Sequence, residues 1–221
     1  MTLDPSRIQG IIFDLDNTLY HFTDAFYRDC TMAAAEAAQE LGISLSFEDT
    51  LKLAERSEQE YGYSMHGYVV DHGIAYADLH FPYHEKIDET VVGKIDGVRS
   101  ALKMLNIPCS ILTNASRDWA DRVLRYVDLA DMFDSDKIFA MEDANFEPKA
   151  SSERGFRLAA DSLNAPLENI LMVDDLDRNL SIPHSLGMQT AYMHYGDQAE
   201  PKPEYITGQY YNILDLIKDM T

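Results

Sequence analysis

The chain has 221 residues, enough for one large domain or for a core carrying a smaller insertion. Its hydrophobic fraction of 46% and charged fraction of 25%, without repeats or low-complexity stretches, exclude a disordered or fibrous class. Acidic residues outnumber basic ones, 38 to 18, and the net charge of -20 disfavours extended nucleic acid and anionic membrane surfaces as partners. A small anionic ligand is still compatible with that charge, because a metal ion or a few cations can reverse the field inside a cleft.

In chain order, the first apolar run is a strand from Gln9 to Phe13, ending in Asp14-Leu15-Asp16-Asn17-Thr18-Leu19-Tyr20. Residues 21–92 then break the pattern. They are rich in Ala, Glu, Tyr and Met, with helical runs at Ala25 to Leu41 and Phe47 to Tyr61, and are expected to form a small helical cap. A cap inserted directly after paired carboxylates would cover them and exclude water. Beyond it come a strand from Pro108 to Leu112, a helix from Arg117 to Tyr126, a weak strand from Lys137 to Phe139 and a helix from Ser151 to Ser162. A strand from Asn169 to Val173, a helix from Asn179 to Leu186 and a strand from Gln189 to Met193 complete the pattern. Short apolar strands alternating with helices predict an α/β fold, a doubly wound, Rossmann-like parallel sheet. The expected domains are residues 1–20 with 93–221 as the core, and 21–92 as the cap.

In such sheets ligands bind at the carboxyl ends of the strands. The polar residues that end three strands would therefore gather at one edge: Asp14 and Asp16, Thr113 and Asn114, and Asp174 and Asp175. Carboxylates two residues apart on one strand repel each other, and a cation or a shared proton must offset that repulsion. An all-oxygen set without Cys or His suits Mg²⁺. The bland alternatives are helix caps for Asn114-Ala115-Ser116 and for Asp174-Asp175, and a solvated surface position for Lys149.

Four stretches taken together resemble the haloacid dehalogenase superfamily of hydrolases: Asp14-Leu15-Asp16-Asn17-Thr18-Leu19, Leu112-Thr113-Asn114, Lys149, and Asp174-Asp175. The resemblance implies that Asp14 attacks phosphorus to give an aspartyl phosphate and that Asp16 serves as general acid and base. It implies a Mg²⁺ site formed by Asp14, the Asp16 carbonyl and Asp175, with Asp174 beside the ion or bonded to it. Thr113, Asn114 and Lys149 would hold the transferring phosphoryl group. Two departures stand out. Lys149 follows Pro148 instead of preceding a proline, which leaves Lys137 and Arg154 as alternative cations, and Asn179 stands where some relatives carry an acid.

Within the superfamily, Asp16 favours phosphate esters over halides, because a leaving alkoxide needs a proton and a halide does not. The wording from Asp14 to Tyr20, with Tyr61-Gly62, His66-Gly67 and His72, is similar to the pyrimidine 5′-nucleotidase branch, although His21 replaces its usual proline. A small phosphate ester, most simply a pyrimidine nucleoside monophosphate, is the expected partner, with Tyr63, His66, Tyr68 and Tyr83 as candidates for stacking on a base. The rivals are a sugar phosphate or phosphoglycolate phosphatase, a mutase of the same fold, and a phosphate-binding protein without turnover. The chain opens without a basic flank and apolar run, and a cytoplasmic location without membrane contact is expected. Cys30 and Cys109 have neither metal nor redox spacing and are expected to be reduced structural thiols.

Overall fold

A computed structural model describes residues 2–196, 198 and 201–221. The chain divides into two compact units, Met1–His21 with Lys94–Thr221, and Phe22–Gly93.

The larger unit is built on a six-stranded sheet in the order β3-β2-β1-β4-β5-β6, with every pairing parallel. The strands are β1 (Gly10–Phe13), β2 (Cys109–Leu112), β3 (Ile138–Phe139), β4 (Ile170–Asp174), β5 (Gln189–Met193) and β6 (Gly208–Tyr210). β1 and β4 are buried along their whole length, as a parallel sheet covered on both faces requires. β1 is flanked by β2 on one side and β4 on the other, so successive crossovers leave it in opposite directions. That is the switch point where an open α/β sheet leaves a crevice beyond its carboxyl edge.

One face of the sheet presents Ile12, Leu112, Ile170 and Met172 to Phe156, Ala159 and Ala160 of the helix Arg154–Asp161. The approach is close. A Cβ on Gly155 would lie 2.8 Å from Leu112 Cδ1, so a larger residue could seat the helix against the last residue of β2 only if the Leu112 side chain shifted. This helix begins three residues after the expected start. Ser151 and Ser152 instead donate their N–H groups to the Pro148 carbonyl, turning the chain around Lys149. The segment after β4 also differs from a single helix. It forms a 3₁₀ turn, Asp177–Leu180, and then a short helix, Ser181–Ser185, that contains Pro183. β6 and the C-terminal helix Ile213–Met220 extend the fold beyond the elements read from sequence.

The smaller unit is helical, with α1 (Asp24–Glu40), α2 (Phe47–Tyr61), α3 (His66–His72) and α4 (Tyr76–Lys86). Side-chain oxygens start the two longer helices, Thr23 accepting from the Phe26 N–H and Ser46 from the Asp49 N–H. An alanine-rich face of α1 is buried against α2 and α4, small side chains permitting close helix approach. Tyr68 and Tyr83 are core residues of this unit, and the Tyr68 hydroxyl donates to the Thr50 carbonyl at 2.8 Å. Neither cysteine is in a disulfide, and burial pushes the Cys109 thiol up to about 12. No helix among the described residues is long and apolar enough to cross a membrane.

Candidate active site

Three strand ends and one turn, all in the larger unit, build the site. The β1 ladder carries one step past its last residue, the Asp14 N–H donating to the Val173 carbonyl of β4 at 2.8 Å. Asp14 is therefore fixed by the sheet itself. Asn17 then adopts a left-handed conformation with φ 55°, a backbone state that Asn tolerates better than most residues. This turns the chain across the end of β4, where Asn17 Nδ2 donates to Asp175 Oδ2 at 2.8 Å.

Asp14, Asp174 and Asp175 place carboxylate oxygens within 4.8 Å of one another. Lys149 lies among them, its Nζ 2.5 Å from Asp14 Oδ1 and 2.6 Å from Asp174 Oδ2. Asp14, Asp174 and Lys149 are all buried. Lys149 thus occupies the cationic position, while Lys137 pairs with Asp134 and Arg154 is exposed. Burial disfavours the Lys149 charge, but the fields of Asp14 and Asp174 outweigh it and hold the ammonium above its ordinary range. Burial, opposed by Lys149 and reinforced by Asp174 and Asp16, pushes the Asp14 carboxyl up to about 8. Asp175 is raised well above the usual carboxylate range by burial and then by Asp14 and Asp174.

The donor set fits a hard divalent cation. Three carboxylates surround one ammonium, and burial first, then the acids' mutual fields, raises Asp14 and Asp175, so a divalent ion would take the place of the protons they hold. The oxygens are also divided in use. Asp174 Oδ1 accepts from the Leu176 N–H and from Asn179 Nδ2, both at 2.9 Å, and its Oδ2 accepts from Lys149. Among the described residues Asp14 Oδ2 and Asp175 Oδ1 accept no hydrogen bond, so these oxygens are open to an ion or a substrate.

The second strand end forms a turn. Thr113 Oγ1 accepts from the Ala115 N–H and donates to Asp16 Oδ2, both at 2.9 Å, and Asn114 Oδ1 accepts from the Lys149 N–H at 3.0 Å. Asn114 thereby ties the Lys149 turn to β2. Ser116 caps the helix Arg117–Tyr126, accepting from the Trp119 N–H at 3.1 Å. That cap aims the Trp119 indole at Asp16, whose Oδ1 accepts from Trp119 Nε1 at 2.8 Å and also from the Tyr20 hydroxyl.

The residues expected from sequence form a network of two groups: Asp14, Asn114, Lys149, Asp174 and Asp175 are joined by direct contacts or close approach, and Asp16 is hydrogen-bonded to Thr113, each of this second pair lying within two residues in the chain of a member of the first group. Asn17 and Asn179 join the first group and Tyr20 and Trp119 the second, contacts not expected from sequence. Tyr195 approaches as well. Its hydroxyl is buried without a hydrogen-bond partner, and burial together with the fields of Asp175 and Asp14 raises the phenol.

The family model for haloacid dehalogenase-like hydrolases matches residues 8–181, which span every residue of this network except Tyr195. The fold is similar to that of a haloacid dehalogenase family phosphatase from Thermococcus onnurineus, at TM-score 0.66 and 18% identity over 96% of this chain and 98% of that one. It is similar to a haloacid dehalogenase-like family hydrolase from Streptococcus pneumoniae, at TM-score 0.63 and 14% identity over 98% and 100%. It also resembles an L-2-haloacid dehalogenase, at TM-score 0.61 and 14% identity over 96% and 98%. By the extent of the family match, this chain belongs to the haloacid dehalogenase-like hydrolases.

Proposed function

We propose that the protein is a Mg²⁺-dependent phosphomonoesterase that works through an aspartyl phosphate on Asp14. The observation that carries this reading is the second carboxylate, Asp16, held beside the nucleophile's strand end with Oδ1 anchored and room for a proton on Oδ2. Displacing a halide from carbon has no use for such an acid, whereas an ester oxygen leaving phosphorus does.

Asp14 Oδ2 attacks phosphorus as the bond to the ester oxygen breaks, and Asp16 gives that oxygen its proton. Water then attacks the aspartyl phosphate and yields its proton to Asp16, which restores the enzyme and releases phosphate. Lys149 uses two N–H groups on Asp14 and Asp174, and its third is available for a phosphoryl oxygen. Asn114 holds the Lys149 turn in place. Asp14, Asp175 and the Asp16 carbonyl would hold the ion, with Asp174 adjacent, and when bound it supplies charge neutralisation for the phosphoryl oxygens.

Among esters, we place pyrimidine nucleoside monophosphates first, because the wording Asp14 to Tyr20 resembles that branch. Side-by-side turnover of UMP, CMP, AMP, small sugar phosphates, phosphoglycolate and a 2-haloacid, each with Mg²⁺ and with EDTA, tests the proposal. Phosphate release that depends on Mg²⁺ and is fastest for UMP or CMP is expected. Halide release without phosphate release would reject the phosphatase reading, and preference for sugar phosphates would reject the nucleotide one.

A further inference from the structure

We infer that Tyr20 and Trp119 are positioning residues for proton transfer, and that by occupying Asp16 Oδ1 they assign the exchanged proton to Oδ2. This rests on the phosphatase reading of the same site. A carboxylate oxygen offers about two acceptor positions. Oδ1 uses both, one for the Tyr20 hydroxyl and one for Trp119 Nε1 at 2.8 Å, and Oδ2 accepts one bond, from Thr113 at 2.9 Å. Tyr20 and Trp119 are fully buried, so neither donor exchanges its partner for water at low cost. Their geometry is set locally. Tyr20 follows Asp16 by four residues across a turn in which the Thr18 and Leu19 N–H groups both donate to the Leu15 carbonyl, and Trp119 is fixed by the Ser116 cap.

Two donors on one oxygen fix the plane of the carboxylate and leave its other oxygen for chemistry. When Oδ2 gives its proton to the leaving oxygen, the charge that appears on Asp16 is shared with Oδ1, where both donors already point. When water returns a proton, it goes back to Oδ2, to the acceptor position that the Thr113 hydroxyl leaves open. Tyr20 and Trp119 touch neither substrate nor phosphorus in this scheme. They act through Asp16.

The test uses a series of aryl and alkyl phosphate monoesters of graded leaving-group basicity, with Tyr20→Phe, Trp119→Phe and Asp16→Asn. Tyr20→Phe removes one hydroxyl from a ring that keeps its packing, which guards against a folding defect in Trp119→Phe. Each single variant is expected to lower kcat/KM by about tenfold or more on basic alkoxide leaving groups, the scale of one hydrogen bond to a charged group, and less on nitrophenyl esters that leave unaided. Neither variant should lower it further in an Asp16→Asn background. An equal loss across the series, or no loss, overturns the inference. A second readout does not need turnover: Trp119 is the single tryptophan, so a ¹⁵N-indole label gives one resonance, expected to move upfield in Asp16→Ala. A resonance that does not move overturns the inference alone. A resonance that moves in a protein hydrolysing no phosphate ester overturns the phosphatase reading and the proton-transfer role with it.

Discussion

Replacing Lys149 by Met removes one buried ammonium and keeps roughly the length and apolar volume of the side chain. Two contacts are lost, to Asp14 at 2.5 Å and to Asp174 at 2.6 Å, and both carboxylates stay buried. Removing one partner of a buried ion pair is destabilising by about 3–5 kcal/mol, because the remaining charge is left uncompensated. For a chain of this length that corresponds to a fall in melting midpoint of about 6–20 °C. The pH dependence follows from the sign of the linkage. Asp14 stands at about 8 with the ammonium beside it and rises further without it, so above that pH the folded variant keeps a proton that the folded parent and the unfolded chain have both released. The deficit should therefore grow as pH rises through 8 and be larger at pH 9 than at pH 6. Added Mg²⁺ should recover part of it at pH 9. Thermal melts of both proteins at the two pH values, with Mg²⁺ and with EDTA, measure this. A Lys149→Met protein that melts with the parent at pH 9 would refute the charge balance on which the site is built.

Three further outcomes are expected. Asp14 stands at about 8 and Asp175 well above the usual carboxylate range with no divalent ion bound, so an ion taken by both displaces protons, and Mg²⁺ affinity should rise steadily with pH from 6 to 8; calorimetric titrations that give a pH-independent affinity would contradict it. Asn179→Leu removes the amide that donates to Asp174 Oδ1, and a loss of about 1.5–3 kcal/mol in urea unfolding is expected, whereas an unchanged midpoint would mean that Leu176 alone secures this carboxylate. Gly155→Ala drives a methyl into Leu112, next to Thr113, and should destabilise by about 1–3 kcal/mol; a neutral result would show that the Leu112 side chain simply rotates aside.

What sequence made legible is what local pattern carries. The parallel sheet followed from apolar runs that alternate with helices, and the convergence of Asp14, Thr113 and Asp174 followed from strands that end in polar residues. β6, three partly exposed residues without an apolar run, carried no such signal. Trp119 reads from sequence as one more apolar position on the helix Arg117–Tyr126, and nothing local announces that its N–H meets a carboxylate 103 residues earlier in the chain. Asn17 and Tyr20 read as branch wording, yet their side chains are hydrogen-bonded to Asp175 and Asp16. Asn179 read as a missing acid and is instead a donor that orients Asp174. Of the aromatic residues that sequence offered for a base, Tyr68 and Tyr83 are core residues of the helical unit, and His66 Nδ1 bonds the Tyr76 hydroxyl. Sequence named the acids; only the fold shows which oxygen of each is open.

The central claim is that Asp14 becomes phosphorylated. Acid-quenching the protein in the presence of Mg²⁺ and a nitrophenyl phosphate, followed by peptide mass spectrometry, tests it directly. The account predicts one alkali-labile phosphoryl group on the peptide that contains Asp14, absent in Asp14→Asn, which should also have lost turnover. Undiminished turnover in Asp14→Asn, or a phosphoryl group on any other side chain, would contradict it.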